Sequence, residues 1–478
     1  MALQFTRNAE VYVALRNAST DDHVQSWKMS VLDGFSFTQS INSSEITINE
    51  AGSTSRRARL LFNDSLAPVE WSMSTYARPF DGTDSPAKCN APEEALWGMF
   101  VGADTWDLSA KEFKKGASAV NAHAEAALAG DSTNTFNFNQ SNVSSMPDNW
   151  DLWFAFEDGT NKQYYKLESA VVNSVTMDFD IDGIATLQWS GFAKALSDEG
   201  ITQPDQLKAS PSVGDALIAD GLTTSDNFIR NRISTLDLVR TDKLIGSPGT
   251  EADGGESYVI TSGNYTWNDV PDPGPDTITV SGSDVTGDIA PGDIVSGTGV
   301  TAGTTVASIS YSNPDTTITL SNFDGSGSGD LSFYTPNRDV YNIVLTGGSI
   351  SMENNITYLT PEELGVVNAP LANITGARSI SGSLTCYLDN DATTSKSGEL
   401  FADLVSDTDT IRNVFDMSIN IGGVTTNTPR VVFDLPTAHL EVPVVNVEDL
   451  LTLEVAFHGQ VANGNVDSTN EATIIYKA

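Results

Sequence analysis

Apolar and polar residues alternate along much of the chain, which is the pattern of β-strands with one buried face. In residues 177–182, Met, Phe and Ile alternate with three aspartates, and a second strand pattern at 186–191 follows the turn sequence Asp182-Gly183. Two short runs, 92–100 and 397–404, have helical character, and the first begins with Pro and acidic residues, as helices often do. The pattern therefore predicts a mainly β protein with few helices.

The sequence repeats itself in the same order, which is the mark of a duplicated domain. Phe-Thr-Arg-Asn at residues 5–8 returns as Phe-Ile-Arg-Asn at 228–231, and a strand pattern follows both. Further segments match in order: 32–37 with 345–350, 71–76 with 382–387, and 167–191 with 435–459. The last pair aligns without a gap, so that Trp189 falls on Phe457 and Gly191 on Gly459. These matches predict two copies of one β-rich domain, called copy one and copy two below.

Two insertions distinguish the copies. Copy one covers residues 1–200 and has an insertion at about 107–148. Copy two begins with 201–242, a linker and its first strand, and continues in 339–478. Between these two parts, residues 243–338 form a predicted inserted module. Insertions of this size belong in loops, because the entropy cost of loop closure grows slowly with length.

The inserted module is acidic and strand-like. Residues 244–337 contain no Lys or Arg but twelve Asp or Glu. Short Thr-rich strands alternate with Gly, Asp and Pro turns, which is typical of a small all-β module. The Pro-rich segment 270–275 predicts an entry linker, and the Gly/Ser segment 325–329 predicts a hairpin tip or a flexible loop. In the copy-one insertion, the Ala-rich residues 109–128 predict a further helix.

Composition excludes several classes of function. The 478 residues include 25 Lys and Arg against 63 Asp and Glu, a net charge of −38. Such a chain lacks the cations with which nucleic-acid readers neutralise phosphates. A hydrophobic content of 39% is too high for a disordered chain. The apolar runs are too short for a membrane span and the first residues lack a signal-peptide pattern, so we expect neither.

Residues that commonly catalyse reactions or bind metals are sparse. Cys89 and Cys386 are the only cysteines, and they form no redox or zinc motif. The four histidines have no second His or Cys at ligand spacing, and there is no GxSxG motif. The aspartates at 177–182 raise the hypothesis of a calcium site, but acids in a row on a strand are more often a solvated face. We therefore expect no catalytic residue, no bound metal and no cofactor.

Arg56, Arg57 and Arg59 form a cationic cluster in an otherwise acidic chain. One interpretation is three solvated arginines in a long loop. The other is a contact with an acidic surface of the next subunit, because the planar guanidinium binds carboxylates in a bidentate way.

Segments in both copies resemble long-tailed bacteriophage tail tube proteins. They are residues 46–52 with 64–76 in copy one, and 355–361 with 382–388 in copy two. The resemblance is closest to siphophage tubes whose subunit has two fused tube domains. It implies a mainly β fold of two tandem tail-tube β-sandwich or barrel domains, each with one flanking helix, plus the inserted all-β module.

The resemblance also implies a function. In such tubes, three subunits form a ring that imitates a hexamer, and the rings stack into the tail. The chain would then be a structural virion protein of the tail, not an enzyme, and part of the conduit for genome ejection into the host. The implied partners are further copies of the chain, the tail terminator, tail-tip or baseplate proteins and the tape-measure protein. DNA would pass through the lumen without specific binding, which suits the negative charge, and no membrane partner is implied.

Two sets of residues are candidates for this role. The candidate channel-facing acids are Asp178, Asp180, Asp182 and Glu448, although a position on the outer surface stays open for them. The candidate ring-stacking residues lie in two matching loops, 52–70 and 361–379. They are Arg56, Arg57, Arg59, Leu60, Leu61 and Phe62 in the first, and Val366, Val367, Leu371, Ile374 and Arg378 in the second. The inserted module is expected to project outwards from the tube wall.

Two other functions are compatible with the composition. A secreted or surface-layer adhesin is often acidic and rich in Gly, Thr and Asp, but a secretion signal, calcium-binding turns or a cell-wall anchor would favour it, and none is visible. A carbohydrate-active enzyme needs two placed carboxylates beside aromatic residues, which one sequence with 63 acids does not reveal.

Overall fold

The structure is a computed structural model that divides into two compact units. One unit is formed by Met1–Leu238 with Tyr341–Ala478, and the other by Val239–Val340. The residues that the structure describes are 5–47, 59–81, 89–124, 132–138, 144–157, 161–219, 228–240, 256–268, 276–286, 288–289, 291, 293–298, 300, 304–321, 328–334, 340–362, 367–389, 396–406, 413–423, 428–447, 450–461 and 471–478.

The elements of copy one come first in the chain. They are β1 (Phe5–Arg16), β2 (His23–Met29), β3 (Ser36–Thr47), β4 (Arg59–Tyr76), β5 (Phe80–Asp81), β6 (Cys89–Asn90), α1 (Glu94–Phe100), β7 (Thr105–Asp107), β8 (Glu112–Lys115), β9 (Ser118–Ala119), β10 (Asn121–Ala124), β11 (Thr133–Asn137), β12 (Trp150–Glu157), β13 (Lys162–Glu168), β14 (Val171–Asp180), β15 (Thr186–Ala193) and β16 (Ala195–Gly200). Short 3-10 helices follow at Asp205–Leu207 and Asn231–Ile233.

The remaining elements belong to the second unit and to copy two. The first strand of copy two is β17 (Thr235–Arg240). The second unit contains β18 (Glu256–Ile260), β19 (Tyr265–Asn268), β20 (Thr277–Val280), β21 (Ile294–Thr298), β22 (Thr305–Ser312), β23 (Asp315–Ser321) and β24 (Ser328–Tyr334). Copy two continues with β25 (Val340–Ile343), β26 (Leu345–Glu353), β27 (Thr357–Leu359), β28 (Ala372–Ile374), β29 (Ser379–Tyr387), α2 (Ser397–Ser406), β30 (Phe415–Ile421), β31 (Arg430–Leu440), β32 (Val444–Val447), β33 (Leu451–Gly459) and β34 (Thr473–Lys477).

The helix predictions were right for each copy and wrong for the copy-one insertion. Helices α1 and α2 lie where 92–100 and 397–404 predicted them. Residues 109–124 instead contain β8, β9 and β10, and the tight β8–β9 turn passes through Gly116 at φ +59°. The remaining residues of this prediction, 125–128, lie outside the described residues. Phe113 and Val120 are fully buried. Tertiary packing of these strands outweighs the helix propensity of the alanines.

The same strand order occurs twice. In copy one, one sheet has the order β13-β12-β1-β2 and the other the order β3-β4-β15-β14. Copy two repeats these as β31-β30-β17-β25 and as β26-β29-β33, with β32 and the end of β31 beside β33. The strands β16 and β34 take the same place beside β13 and β31. The fold is therefore the predicted pair of tandem β domains, each with one helix.

Large side chains fill the space between the two sheets of copy one. The rings of Phe37 on β3 and Phe154 on β12 lie 4.7 Å apart. Trp97 of α1 contacts Trp189 of β15 edge-on at 4.9 Å, and both are buried. Alternation of apolar and polar residues on each strand thus produces a sandwich whose core also includes the helix.

Pairing in the last two strands corrects the ungapped alignment of the copies. Met177 pairs with Leu187, ten residues later, whereas its counterpart Val445 pairs with Leu453, eight residues later. The turn of copy two is therefore two residues shorter. The counterpart of Trp189 is Val455 rather than Phe457, since Trp189 lies opposite Met73 just as Val455 lies opposite Leu384.

Helix α1 begins beside two glutamates that are buried completely. The Trp27 indole donates to Glu94 Oε1 at 2.8 Å, and the Asn134 amide donates to Glu94 Oε2 at 3.0 Å. Glu93 is 0% exposed. Burial raises the pKa of Glu93 to about 7, although the neighbouring Tyr476 hydroxyl favours the charged form.

We expect this carboxyl to make the free energy of unfolding depend on pH. Glu93 ionises near 4.5 in the unfolded chain but keeps its proton up to about 7 in the folded one, so stability falls as the pH rises between these values. Glu93→Gln should abolish this dependence and raise the free energy of unfolding at pH 8 by roughly 3 kcal/mol. Urea unfolding at pH 5 and pH 8 measures both effects. Glu362→Gln, at an exposed position, should change neither, and equal pH dependence of Glu93→Gln and the parent chain would contradict the assignment.

The second unit is a separate all-β body with its own core. Its sheet has the order β18-β24-β21-β22-β23-β20-β19. Buried residues such as Ile278, Ile318 and Phe333 form its hydrophobic cluster. Threonines on β20 and β23 alternate with these apolar residues, as the short Thr-rich runs of the sequence suggest.

Candidate functional site: a hydroxyl-lined sheet with two open edges

One long sheet runs through both copies. Eight of its strands follow one another in the order β3-β4-β15-β14-β26-β29-β33-β32. The two copies join where β14 pairs antiparallel with β26, from Ser174 opposite Glu353 to Asp180 opposite Gly347. The last strand of the copy-one sheet thus meets the first strand of the copy-two sheet, so that the copies are connected head to tail.

One face of this sheet is apolar and buried, and the other is covered by hydroxyl groups. The buried side chains include Met73, Met177, Trp189, Ile350 and Leu384. The alternating positions form what we call the hydroxyl face. Its Ser and Thr residues are Ser36, Thr38, Ser72, Ser74, Ser174, Thr176, Thr186, Ser190, Ser349, Ser351, Ser381, Ser383, Thr385 and Thr452.

Hydrogen bonds connect these side chains from strand to strand. Ser174 Oγ lies 2.7 Å from Ser190 Oγ, and Thr176 Oγ1 lies 3.1 Å from Ser351 Oγ across the junction of the copies. Ser36 and Ser72 form a similar pair at 3.0 Å. Such pairs stabilise the sheet and leave a face that is polar but largely uncharged.

The charges that this face does carry are negative. Asp178 and Asp180 are exposed on it, and Asp178 accepts a hydrogen bond from Gln188 at 3.2 Å. Asp182 lies in the bend after β14, and Glu448 lies outside the described residues. Within the described part of the eight strands, the only Lys or Arg is Arg59, at the beginning of β4. Within the described strands, a polyanion near this face therefore meets no Lys or Arg apart from Arg59.

Sequence reasoning identified the acids of this face but missed its hydroxyls. The signal was present as Ser at every second position, in Ser72 and Ser74, in Ser349 and Ser351, and in Ser381 and Ser383. Serine is common in loops, so these residues attracted no interpretation until the pairing placed them side by side.

Both ends of the eight-strand series are open edges in the described chain. Strand β3 pairs with β4, and β32 pairs with β33. All four residues of β32 are exposed, and Val444 and Val447 are 59% and 77% accessible. An exposed strand edge with apolar residues is a template for pairing with another strand.

The β3–β4 hairpin extends well beyond the point where β4 leaves β15. We call its residues 41–66 the copy-one arm; β4 pairs with β15 only from Val69 onwards. Leu60, Leu61 and Phe62 on this arm are 50%, 68% and 50% exposed. Arg56 and Arg57 lie outside the described residues, and Arg59 begins β4.

The matching segment of copy two, residues 354–378, is called the copy-two arm. Val367, Leu371 and Ile374 are 48%, 62% and 45% exposed, and Val366 lies outside the described residues. Arg378 differs from the expectation of a surface cation, because its side chain is only 8% exposed and lies 3.4 Å from Glu471. Its guanidinium also stacks 4.9 Å from the centre of the Phe138 ring.

The described residues contain no arrangement that suggests metal or thiol chemistry. No group of three or more His, Cys, Asp or Glu in the described ranges is close enough to hold a metal ion. Cys89 and Cys386 are buried and form no disulfide. His123 is also buried, with Nδ1 2.7 Å from the Cys89 carbonyl oxygen. No described helix has the length and apolar character needed to cross a membrane.

Comparison with known proteins agrees with the fold. The chain is 24% identical over 464 residues to tail tube protein pb6 of Escherichia phage T5, and the alignment covers 96% of this chain and 72% of that protein. No family model matches the chain. The similarity confirms the resemblance to bacteriophage tail tube proteins and the assignment of the chain to the virion tail.

Proposed function

We propose that the chain is the major subunit of a bacteriophage tail tube, with a structural rather than an enzymatic role. Rings of the subunit stack into a tube, and the tube conducts the genome into the host. The observation that carries this proposal is the junction between β14 and β26. At this junction, the last strand of the copy-one sheet pairs with the first strand of the copy-two sheet within one chain. The open edge β32 of one chain can pair in the same way with the open edge β3 of the next chain.

The counterparts at the open edges follow from the registers. At the junction, Asp178 lies opposite Ser349, and Ser349 lies opposite Ser383 on β29. In copy one, Ser36 lies opposite Ser72 on β4. Since Ser72 is the counterpart of Ser383, Ser36 is the counterpart of Ser349. Asn446 takes the place of Asp178. The proposed contact between chains therefore pairs Asn446 with Ser36, and Val445 with Phe37.

Three chains per ring fit the width that a conduit for duplex DNA requires. Each chain supplies eight strands to the sheet, so three supply about 24, and closure removes the open edges. At about 4.8 Å between strands and a tilt of about 35–45°, such a cylinder measures roughly 45–50 Å between opposite backbones. The hydroxyl face would line the channel, with Asp178 and Asp180 repelling phosphates.

The partners follow from a tube of this kind. Further rings bind through the arms, the terminator and the tail-tip or baseplate proteins cap the two ends, and the tape-measure protein and later DNA occupy the lumen. Leu60, Leu61 and Phe62 of the copy-one arm, which are exposed in the single chain, would be buried between successive rings and hold them together.

A pair of cysteines tests the ring directly. Ser36→Cys with Asn446→Cys should form disulfides between chains on mild oxidation, because the two positions lie opposite each other in the proposed contact. Both native thiols are buried and should not compete. Denaturing gels should show dimers and trimers with no larger products, and electron microscopy should show rings with a central channel. The matched control, Ser349→Cys with Asp178→Cys, should crosslink within one chain and leave a monomer band. A monomer band from the test pair, or covalent chains longer than three, would overturn the closed ring of three.

Removal of the acidic module should leave assembly intact. A module that projects outwards contributes nothing to the channel, and its boundaries coincide with a compact unit of its own. Replacing residues 254–336 with a short Gly/Ser linker should therefore yield tubes of normal inner width and smaller outer width in electron micrographs. If the shortened chain is folded but forms no tubes, the module is part of the tube wall.

A further inference from the structure

The copy-two arm shows how an arm lies on the neighbouring tube domain. Beyond the end of β26, the Asn354 N–H donates to the Asn173 carbonyl oxygen at 2.8 Å. The Ile356 N–H then donates to Asn173 Oδ1 at 2.7 Å, and the Tyr358 hydroxyl donates to the Ser169 carbonyl at 3.2 Å. The arm thus continues sideways along the beginning of β14, on copy one.

Apolar groups accompany these hydrogen bonds. Ile356 is 7% exposed and belongs to a small buried cluster with Val171 and Met146. The ring of Tyr358 meets that of Phe192 edge-on, with 6.2 Å between centres. Inside the chain, therefore, two apolar contacts join arm and domain: Ile356 with Val171, and Tyr358 with Phe192.

The counterparts of all four residues can be assigned. The shift that places Ser349 on Ser36 also places Thr357, Leu359 and Thr360 on the similar Ser44, Ile46 and Thr47. It places Ile356 on Ser43 and Tyr358 on Glu45. In the domain on which the arm lies, Val171 pairs with Phe192, and in copy two His439 pairs with His458. His439 is therefore the counterpart of Val171, and His458 is the counterpart of Phe192. Glu441 then takes the place of Asn173.

Both sides of each contact change chemistry together. In the proposed contact, Ser43 and His439 take the places of the apolar pair Ile356 and Val171. The aromatic pair of Tyr358 and Phe192 becomes Glu45 with His458, an acid beside a base. The oxygen acceptor of Asn173 becomes the carboxylate of Glu441. Both surfaces are thus polar, and able to bind each other, at the places where the contact within the chain is apolar.

We propose that the copy-one arm lies on copy two of the adjacent chain in the same ring. Glu45 binds His458 of that chain, and Glu441 accepts the Ser43 N–H. This inference rests on the proposed function, since it requires a ring of chains. In the single chain Glu45 is exposed, and His458 and Glu441 are 49% and 57% exposed and lie 3.0 Å apart.

Polar chemistry suits the contact between chains for a physical reason. The contact within a chain forms once, during folding, and can be apolar. A contact between chains stays exposed until assembly, and polar residues in the arm avoid adding to the exposed apolar area that β32 already presents. Charged groups remain soluble in the free subunit and give orientation and specificity when they meet. On the other strand of the arm, Leu60, Leu61 and Phe62 lie opposite Ile46, Glu45 and Ser44, and in this proposal they are the residues left for the next ring.

Crosslinking separates contact within a ring from contact between rings. Glu45→Cys with His458→Cys, treated with a short bismaleimide in assembled tubes, should give covalent products that end at the same size as those of the Ser36/Asn446 cysteine pair. The matched control, Tyr358→Cys with Phe192→Cys, should crosslink within one chain. Products longer than one ring would mean that the arm binds a neighbouring ring, and this would overturn the inference.

The same experiment distinguishes failure of the inference from failure of the proposed function. If the Ser36/Asn446 pair closes rings but the Glu45/His458 pair yields only monomers, the ring stands and the arm placement is wrong. If neither pair crosslinks chains, the proposed ring is wrong as well. The control pair shows in each case that the reagent reaches an arm held in this geometry.

Discussion

Val445→Asp should give a folded, soluble subunit that forms neither rings nor tubes. Val445 is 37% exposed in the single chain, so a carboxylate there meets water and changes stability little. Its counterpart Met177 is 1% exposed, with Ile350 of the paired strand β26 beside it on the same apolar face. If β3 of the next chain covers Val445 in the same way, each junction must bury a charge, at a cost of at least roughly 2–7 kcal/mol.

The neighbouring position supplies a matched control. Asn446 is the counterpart of Asp178, which already carries a carboxylate on the hydroxyl face of copy one. Asn446→Asp should therefore assemble normally, although it adds the same charge one residue away. Analytical ultracentrifugation and electron microscopy distinguish the two variants, and circular dichroism checks that both are folded. Assembly of Val445→Asp to the same extent as Asn446→Asp would show that β32 is not covered by another chain.

The fold was largely predictable because its physics is local and repeated. Alternation with a period of two identifies strands wherever one face is buried. Because the domain is duplicated, each strand pattern occurs twice in the sequence and each occurrence supports the other. Residues 109–124 were mispredicted because their alanines favour a helix in isolation, whereas Phe113 and Val120 are buried by partners distant in sequence. The shorter turn of copy two could not be predicted, because an alignment with a gap of two residues and an alignment without a gap both keep apolar residues matched with apolar residues.

The candidate site was less predictable, because it depends on pairing between distant strands. Asp178 and Asp180 could be chosen from their own strand, yet the hydroxyl face combines serines separated by more than a hundred residues, such as Thr176 and Ser351. Arg378 shows the opposite limit. In sequence it is a lone cation in a loop, and only the fold reveals that Glu471 and the Phe138 ring enclose it.

Glu substitution of Arg56, Arg57 and Arg59 together should leave rings that no longer stack. In the sequence of the copy-one arm, Leu60, Leu61 and Phe62 directly follow these cations. The three apolar side chains are half or more exposed in the described chain. An acidic neighbouring ring would attract the arginines and repel glutamates. Breaking one side of a buried interfacial ion pair costs roughly 2–5 kcal/mol, and each added ring must make several such contacts.

An apolar variant and a salt series show whether charge attraction holds the rings together. Leu61→Ser with Phe62→Ser removes apolar area but no charge, so it should weaken stacking without changing its dependence on salt. The arginine variant should lose stacking at low salt, where the parent chain stacks best, because screening weakens charge attraction as ionic strength rises. Tube length in electron micrographs across a salt series measures both. Tubes of normal length and unchanged salt dependence from the arginine variant would leave these three residues as solvated surface cations, and the copy-one arm would then have to hold the rings by its apolar residues alone.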